Sequence, residues 1–290
     1  MPGNVSPEVR RRRLAAELRR LRDRSGQTGD EVASQLGWSP SKVSRYELAR
    51  TGLRPSDVRK MLEVYGVEPS RQEELLALAR QATTKGWWEE YADVMNDEYV
   101  SIIGLEDEAT SESSWYIEVI PGLLQTEAYA RSVNSRGYSL GPVPPRQIER
   151  SIQARMRRQH LLHRDPPLEL TVVLDESVLR RKLAPAPVMR EQLQHLTELA
   201  DLPNVTLRVL PLGADFPIAM GSFDLLRFGD DGAATLPDVV YTEHLRSTLY
   251  FEGEADTYQY RLVFELLLES SLGASPSQDL IADIATKVWA

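Results

Sequence analysis

The stretch G-D-E-V-A-S-Q-L-G-W-S-P-S-K-V-S-R-Y, Gly29 to Tyr46, decides the reading of this chain. Its spacing predicts two short helices joined by a tight turn. Thr28 is placed to cap the first helix, with Glu31 as its capping-box partner. Val32 and Leu36, four apart, give that helix one apolar face, and Ala33 suits close helix approach. Gly37 can adopt the left-handed conformation that stops a helix abruptly. Trp38 covers the turn. Ser39 is the expected cap of the second helix, and Pro40 fits its first turn, where a missing N–H costs nothing. Val43 and Tyr46 face inward, which leaves Ser41, Lys42, Ser44 and Arg45 outward. Short hydroxyls and long cations are the side chains that reach bases and phosphates in a major groove.

Charge supports that reading. The chain of 290 residues is acidic, 34 Lys+Arg against 43 Asp+Glu, a net of −9. Residues 1–60 run the other way, with fourteen cations against seven acids, a net of +7 that leaves −16 for the rest. Such asymmetry points to a nucleic-acid-binding end and a separate acidic body. A basic segment attracts phosphate and makes binding salt-dependent. The chain has no cysteine, which excludes disulfides and thiolate metal sites. No apolar signal core follows the basic N-terminus, and no stretch approaches the ~20 apolar residues of a membrane span. A cytoplasmic protein without membrane contact is expected.

The pattern predicts an α+β protein: an all-α five-helix helix-turn-helix domain over 1–85, then a mixed α/β domain over 86–290. Helix one starts at Ser6-Pro7, runs through Leu14, Leu18 and Leu21, and stops at Ser25-Gly26. Pro55 and Ser56 open a fourth helix with Val58, Met61, Leu62 and Tyr65 inward, closed by Gly66. Pro69 begins a fifth, with Leu75, Leu76 and Ala79 inward, ending near Lys85-Gly86. Residues 87–133 read as mainly helical, with Trp87 and Trp88 as core packing. Gly137 to Pro145 reads as a loop, and Ile148 to Leu162 as a helix with its arginines outward. Strands are expected at Leu168–Leu174, Val205–Leu210, Phe223–Phe228, Val239–Thr242 and Thr248–Phe251. Helices are expected at Val188–Leu199, Tyr258–Ser271 and Pro276–Val288, the last capped by Ser275 with Gln278.

Nothing in the sequence argues for an enzyme. There is no Gly-x-Ser-x-Gly, no P-loop and no G-x-G-x-x-G. His160 and His163 share a helix face but lack a metal-binding pattern, so no metal and no cofactor are implied. Asp175-Glu176 follows a strand and reads as the cap of the turn Ser177–Arg181.

The first ~65 residues resemble the lambda-Cro and phage-repressor type of helix-turn-helix, also called the xenobiotic-response-element type. Leu18, Arg22, Val32, Ala33, Leu36, Gly37, Ser39, Val43, Ser44, Arg45 and Glu47 carry the likeness. The remainder resembles one actinobacterial set of such regulators, through Gly86–Trp88 (G-W-W), Ile120–Arg131 (I-P-G-L-L-Q-T-E-A-Y-A-R), Leu174–Arg181 (L-D-E-S-V-L-R-R) and Leu202–Thr206 (L-P-N-V-T). In that set the C-terminal domain is described as antitoxin-like, and the regulators are often encoded beside a small acidic partner protein. The resemblance implies that Ser39 touches a phosphate, that Pro40, Ser41, Ser44 and Arg45 face bases, and that Arg22 and Glu47 pair beneath the recognition helix. The set commonly has a phosphate-contacting glutamine where this chain has Gly29; Thr28 and nearby backbone amides stand in for it.

The expectation is a DNA-binding transcriptional regulator acting as a homodimer on double-stranded DNA. Its candidate contacts are Thr28, Ser39, Pro40, Ser41, Lys42, Ser44, Arg45, Arg50, Thr51 and Arg54, with Arg22 and Glu47 as a structural pair. Two other readings stay open, an antitoxin that neutralises a protein partner and a small-molecule sensor. The segment Tyr258 to Leu268 carries more apolar positions than one helix face needs, which suggests a dimer or partner contact there.

Overall fold

The computed structural model describes residues 7–49, 51–81, 86–91, 93–95, 97–137, 144–217, 219–229, 237–244 and 247–290. The described residues fall into two compact units. One holds those up to Glu89, together with Val100–Glu108 and Gly229; the other holds Glu90–Tyr99, Ala109–Phe228 and Pro237–Ala290.

Five helices begin the first unit: α1 Pro7–Ser25, α2 Gly29–Leu36, α3 Pro40–Glu47, α4 Pro55–Val64 and α5 Pro69–Gln81. The expected starts and stops hold where glycine governs them. Gly26, Gly37 and Gly66 all have positive φ, near +70°, a conformation that costs a side-chain-bearing residue ~1 kcal/mol or more. Leu14, Leu18, Val32, Val43, Val58, Met61, Leu62, Leu75, Leu76 and Ala79 close into one core, with Leu21, Leu36 and Trp38 packed against it. Residues 82–85, where α5 was expected to end, lie outside the described residues. Beyond them, Trp87–Tyr91 form a 3-10 turn and Asp97–Glu108 form α6. Trp88 is buried, as expected of a core residue. A Cβ on Gly86 would lie 2.4 Å from the Trp88 ring, so only glycine fits there.

The second unit is built on a six-stranded mixed sheet, in the order β3-β2-β1-β4-β5-β6. Its strands are β1 Ser111–Tyr116, β2 Glu169–Asp175, β3 Val205–Leu210, β4 Phe223–Arg227, β5 Val239–His244 and β6 Ser247–Phe251. The pairs β1–β2 and β2–β3 are parallel. Parallel neighbours need crossovers, and α7 Glu127–Gly137 and α8 Pro145–Arg158 supply the first, α9 Glu176–Arg180 and α10 Ala186–Leu199 the second. The pairs β1–β4, β4–β5 and β5–β6 are antiparallel. On one sheet face Trp115, Val173, Leu210, Phe223, Leu225 and Val240 pack with Phe264 and Leu267 of α11, Glu254–Ser270. Helix α12 spans Ala274–Lys287.

The β3 edge is sealed by the chain itself. Leu272 N–H donates to Val209 O at 2.9 Å, and Val209 N–H donates to the buried Ser277 hydroxyl at 3.0 Å. Arg208 donates to the carbonyls of Leu272 and Ser271 at 2.7 and 3.1 Å. On the outer side of β6, no further strand pairs among the described residues.

Four expectations are corrected. Residues 87–133 are helical over more than half of their described length, but Ser111–Tyr116 within them is a central strand of the sheet. Ladders from β2 and β4 on both sides override the weak strand preference of S-E-S-S-W-Y. The helix expected over Ile148–Leu162 is α-helical only to Arg158 and then tightens into a 3-10 turn, Gln159–Leu162. Its arginines are not all outward: Arg158 is buried and donates to the Tyr99 hydroxyl at 3.2 Å. Ser275 does not cap the last helix, because the helix starts two residues earlier than expected, at Ala274, with Gly273 in the cap position. The loop expected over Gly137–Pro145 falls mostly on residues 138–143, outside the described residues.

Candidate nucleic-acid interface

The candidate interface is built on α3 and what holds it. Thr28 and Glu31 form the capping box at the start of α2, with Thr28 N–H donating to Glu31 Oε2 at 2.7 Å and Glu31 N–H to Thr28 Oγ1 at 3.3 Å. The Thr28 backbone N–H and then the Thr28 hydroxyl, which donates to Glu31 Oε2 at 2.9 Å, hold the Glu31 carboxyl below its ordinary pKa. Ser39 occupies the cap position of α3, and Pro40 its first turn. The expected capping bond from Ser39 is not made; its hydroxyl instead lies 3.0 Å from that of Ser41. Both hydroxyls are exposed, so a phosphate could displace that bond.

Two anchors fix α3 from below. Arg22 Nε donates to both Glu47 oxygens, at 2.8 and 3.1 Å, and Tyr65 donates its hydroxyl to Glu47 Oε1 at 3.1 Å. Burial pushes the Tyr65 phenol far up, and the Glu47 charge adds to that. The second anchor is Asp57 of α4, which accepts from the Tyr46 hydroxyl at 2.6 Å and pairs with Lys42 Nζ at 2.9 Å. Lys42 also lies 3.6 Å over the Trp38 ring, and Trp38 meets Tyr46 edge to face. Burial, then the bond to Asp57, pushes the Tyr46 phenol up to about 12.

Of the ten candidate contacts, Ser39, Pro40, Ser41, Ser44 and Arg45 are brought together as an exposed group on α3 and its cap. Lys42 is not part of that free group, being turned to Asp57. Thr28 is exposed, though its hydroxyl serves the capping box. Thr51 is half-buried and Arg54 is exposed just before α4. Arg50 lies outside the described residues. A shallow depression of about 490 Å³ opens beside α3, lined by Arg19, Gly29, Pro40, Ser41, Ser44 and Leu48 among others. Gly29 has open space where a side chain would project.

The motifs that recur in the second half act as fasteners. Gln192 of α10 is fully buried, accepts from Thr126 N–H at 2.6 Å and donates to Leu124 O at 2.7 Å, pinning the I-P-G-L-L-Q-T loop. A Cβ on Gly122 would lie 2.9 Å from the Arg158 guanidinium, which would have to shift to make room. Asp175 caps α9 through Ser177 N–H at 2.9 Å. Asn204 of L-P-N-V-T donates to the carbonyls of Leu162 and Leu168.

Sequence reasoning missed a buried polar group on the sheet face away from α11. Tyr116 donates to Asp224 Oδ2 at 2.9 Å, and Ser114, paired opposite Asp224, donates to Glu112 Oε1 at 3.0 Å. An acid between Phe223 and Leu225 in the strand Phe223–Arg227 was the available signal. Burial raises the Asp224 carboxyl to about 6; the bond from Tyr116 opposes the rise, and the Glu243 charge adds to it. Folding thus makes this proton harder to remove. The stability tied to it is complete below the ordinary aspartate range and is lost as pH rises from about 4 through about 6. Asp224→Asn is expected to flatten that decline and to stabilise the protein above pH 6. Urea midpoints measured from pH 4 to pH 8 test this; parallel profiles for both proteins would count against it.

A helix-turn-helix domain model matches residues 13–75, and the model of a domain of unknown function (DUF5753) matches residues 99–283. No curated protein and no solved structure matches the chain. The helix-turn-helix suggests DNA binding. With the second match spanning well over half its length, the chain belongs to the DUF5753 family, its domain of unknown function carried behind a helix-turn-helix.

Proposed function

We propose that the protein is a sequence-specific DNA-binding transcriptional regulator of the Cro type, working as a homodimer in the cytoplasm. The observation that carries this is the exposed face of α3. Ser41, Ser44 and Arg45 stand exposed on a short helix, and Arg22–Glu47 and Lys42–Asp57 hold that helix from beneath. Ser39 and the residues around it serve the phosphates, and Arg45 reads a guanine, whose O6/N7 edge its fork matches. No helix among the described residues is long and apolar enough to cross a membrane.

We place the functional division at 85/86, with DNA binding in 1–85 and the dimer or partner contact in 86–290. Every residue of the five-helix core lies between Leu14 and Ala79, so a fragment of residues 1–85 keeps that core whole. The net of +6 in residues 1–85 and −15 in residues 86–290 sets the sign of each part's affinity for phosphate. Both fragments are expected to be soluble. In a fluorescence anisotropy titration at several salt concentrations, only 1–85 should bind duplex DNA, more weakly as salt rises. Binding of DNA by 86–290 would overturn this reading.

A further inference from the structure

We propose that Arg19 of α1 is a further DNA contact, holding a backbone phosphate in the depression beside α3, in the space that Gly29 leaves open. The inference rests on the reading of α3 as the DNA-facing helix and names the residue that supplies charge at its flank. The depression, about 490 Å³ in volume, reaches from Arg19 and Arg22 on α1 past Gly29 at the start of α2 to Ser41 and Ser44 on α3. Both serines are exposed. A duplex that meets their hydroxyls therefore lies over the depression as well.

A phosphate carried there needs a cation, and the neighbouring cations are engaged within the protein. Lys42 is turned to Asp57 at 2.9 Å, and Arg22 is locked to Glu47 at 2.8 Å. Arg20, next in sequence, is paired with Glu17 at 2.6 Å. Arg19 is exposed and forms no ion pair with the described residues. It stands three residues before Arg22, so the two share a face of α1, and both line the depression. A long cation without a protein partner turns to a phosphate without breaking any bond of the free protein. Contacts of this kind supply affinity and register, whereas base edges supply sequence preference.

Gly29 provides the room. A Cβ built there meets nothing within 4 Å. Unlike Gly26, Gly37 and Gly66, it has no positive φ, so its backbone does not require glycine. What the glycine leaves is open space, and a bare backbone lets another group approach closely. Asp30, the next residue, is exposed and also lines the depression. Its charge suits the positive end of α2 but repels a phosphate, so it opposes Arg19 at the same place.

Fluorescence anisotropy with the full-length protein tests this, on a duplex selected from a random pool and on a scrambled duplex, across a salt series. Arg19→Ala should weaken binding to both duplexes by the same factor, about three- to tenfold, and lower the slope of log K against log salt by about 0.9. Arg19→Lys, which keeps the charge, should retain most of the affinity. Gly29→Glu, which sets an acid in uncrowded space, should weaken both duplexes by about tenfold or more, with unchanged circular dichroism. Asp30→Asn should tighten both. An unchanged salt slope in Arg19→Ala, or full binding by Gly29→Glu, would overturn the inference. So would a loss in Arg19→Ala confined to the selected duplex, since Arg19 would then read a base. Each of these outcomes leaves the regulator reading standing, because the unsubstituted protein still binds DNA. A protein that selects and binds no duplex overturns both.

Discussion

Replacing Glu47 by alanine will destabilise the five-helix domain by about 3 kcal/mol, the lower end of what losing one partner of a buried ion pair costs. The Glu47 side chain is 7% exposed and that of Arg22 15%. Removing the carboxylate strands the Arg22 guanidinium and leaves the buried Tyr65 hydroxyl without its acceptor. The cost stays at the lower end because Arg22 keeps Gln27 O at 3.0 Å and Asp23 at 2.8 Å. Glu47→Gln, which retains the volume and an acceptor oxygen, is expected to cost about half as much. Fragment 1–85 makes a clean test, since Trp38 is its sole tryptophan. Urea unfolding followed by Trp38 fluorescence should show the lowered midpoint. A midpoint unchanged by Glu47→Ala would mean that the pair contributes nothing to holding α3.

Arg45→Ala will cost about 1–3 kcal/mol on the protein's specific DNA site and relax its preference at one base pair. Arg45 is exposed and makes no ion pair with the described residues, so nothing in the free protein competes for its fork. Weak binding to random DNA should remain nearly intact. Lys42, four residues after Trp38 and tied to Asp57, is the useful contrast. Lys42→Ala should lower stability more than it changes base preference. Selection of binding sites from a random pool, followed by anisotropy on the selected and a scrambled duplex, reads both effects. An equal loss on both duplexes would reduce Arg45 to a phosphate contact.

The helix-turn-helix was legible because its signals are local. Thr28 with Glu31, Gly37 at positive φ and Pro40 in the first turn each act within four residues, and the apolar spacing assigns the inward faces without reference to the rest of the chain. Strands β2 to β6 were legible because turn residues bound them. What failed depends on partners distant in sequence. S-E-S-S-W-Y becomes a strand only because β2 and β4, more than fifty and a hundred residues away, flank it. Arg158 is buried because Tyr99 and the close packing at Gly122 receive it. The cap at Ser39 was right in position and wrong in partner, since its hydroxyl meets that of Ser41 in place of a backbone N–H. Lys42 read as outward from helix periodicity alone; its long stem lets it reach back to Asp57 on α4.

The sealed β3 edge also limits how far the sheet can grow. A sheet open at both ends adds copies indefinitely and becomes a filament, because each addition exposes a fresh edge. Here Leu272, Ser277 and the Arg208 guanidinium occupy one end. Growth past β3 is therefore blocked, and raising the protein concentration should not seed fibres through that end of the sheet.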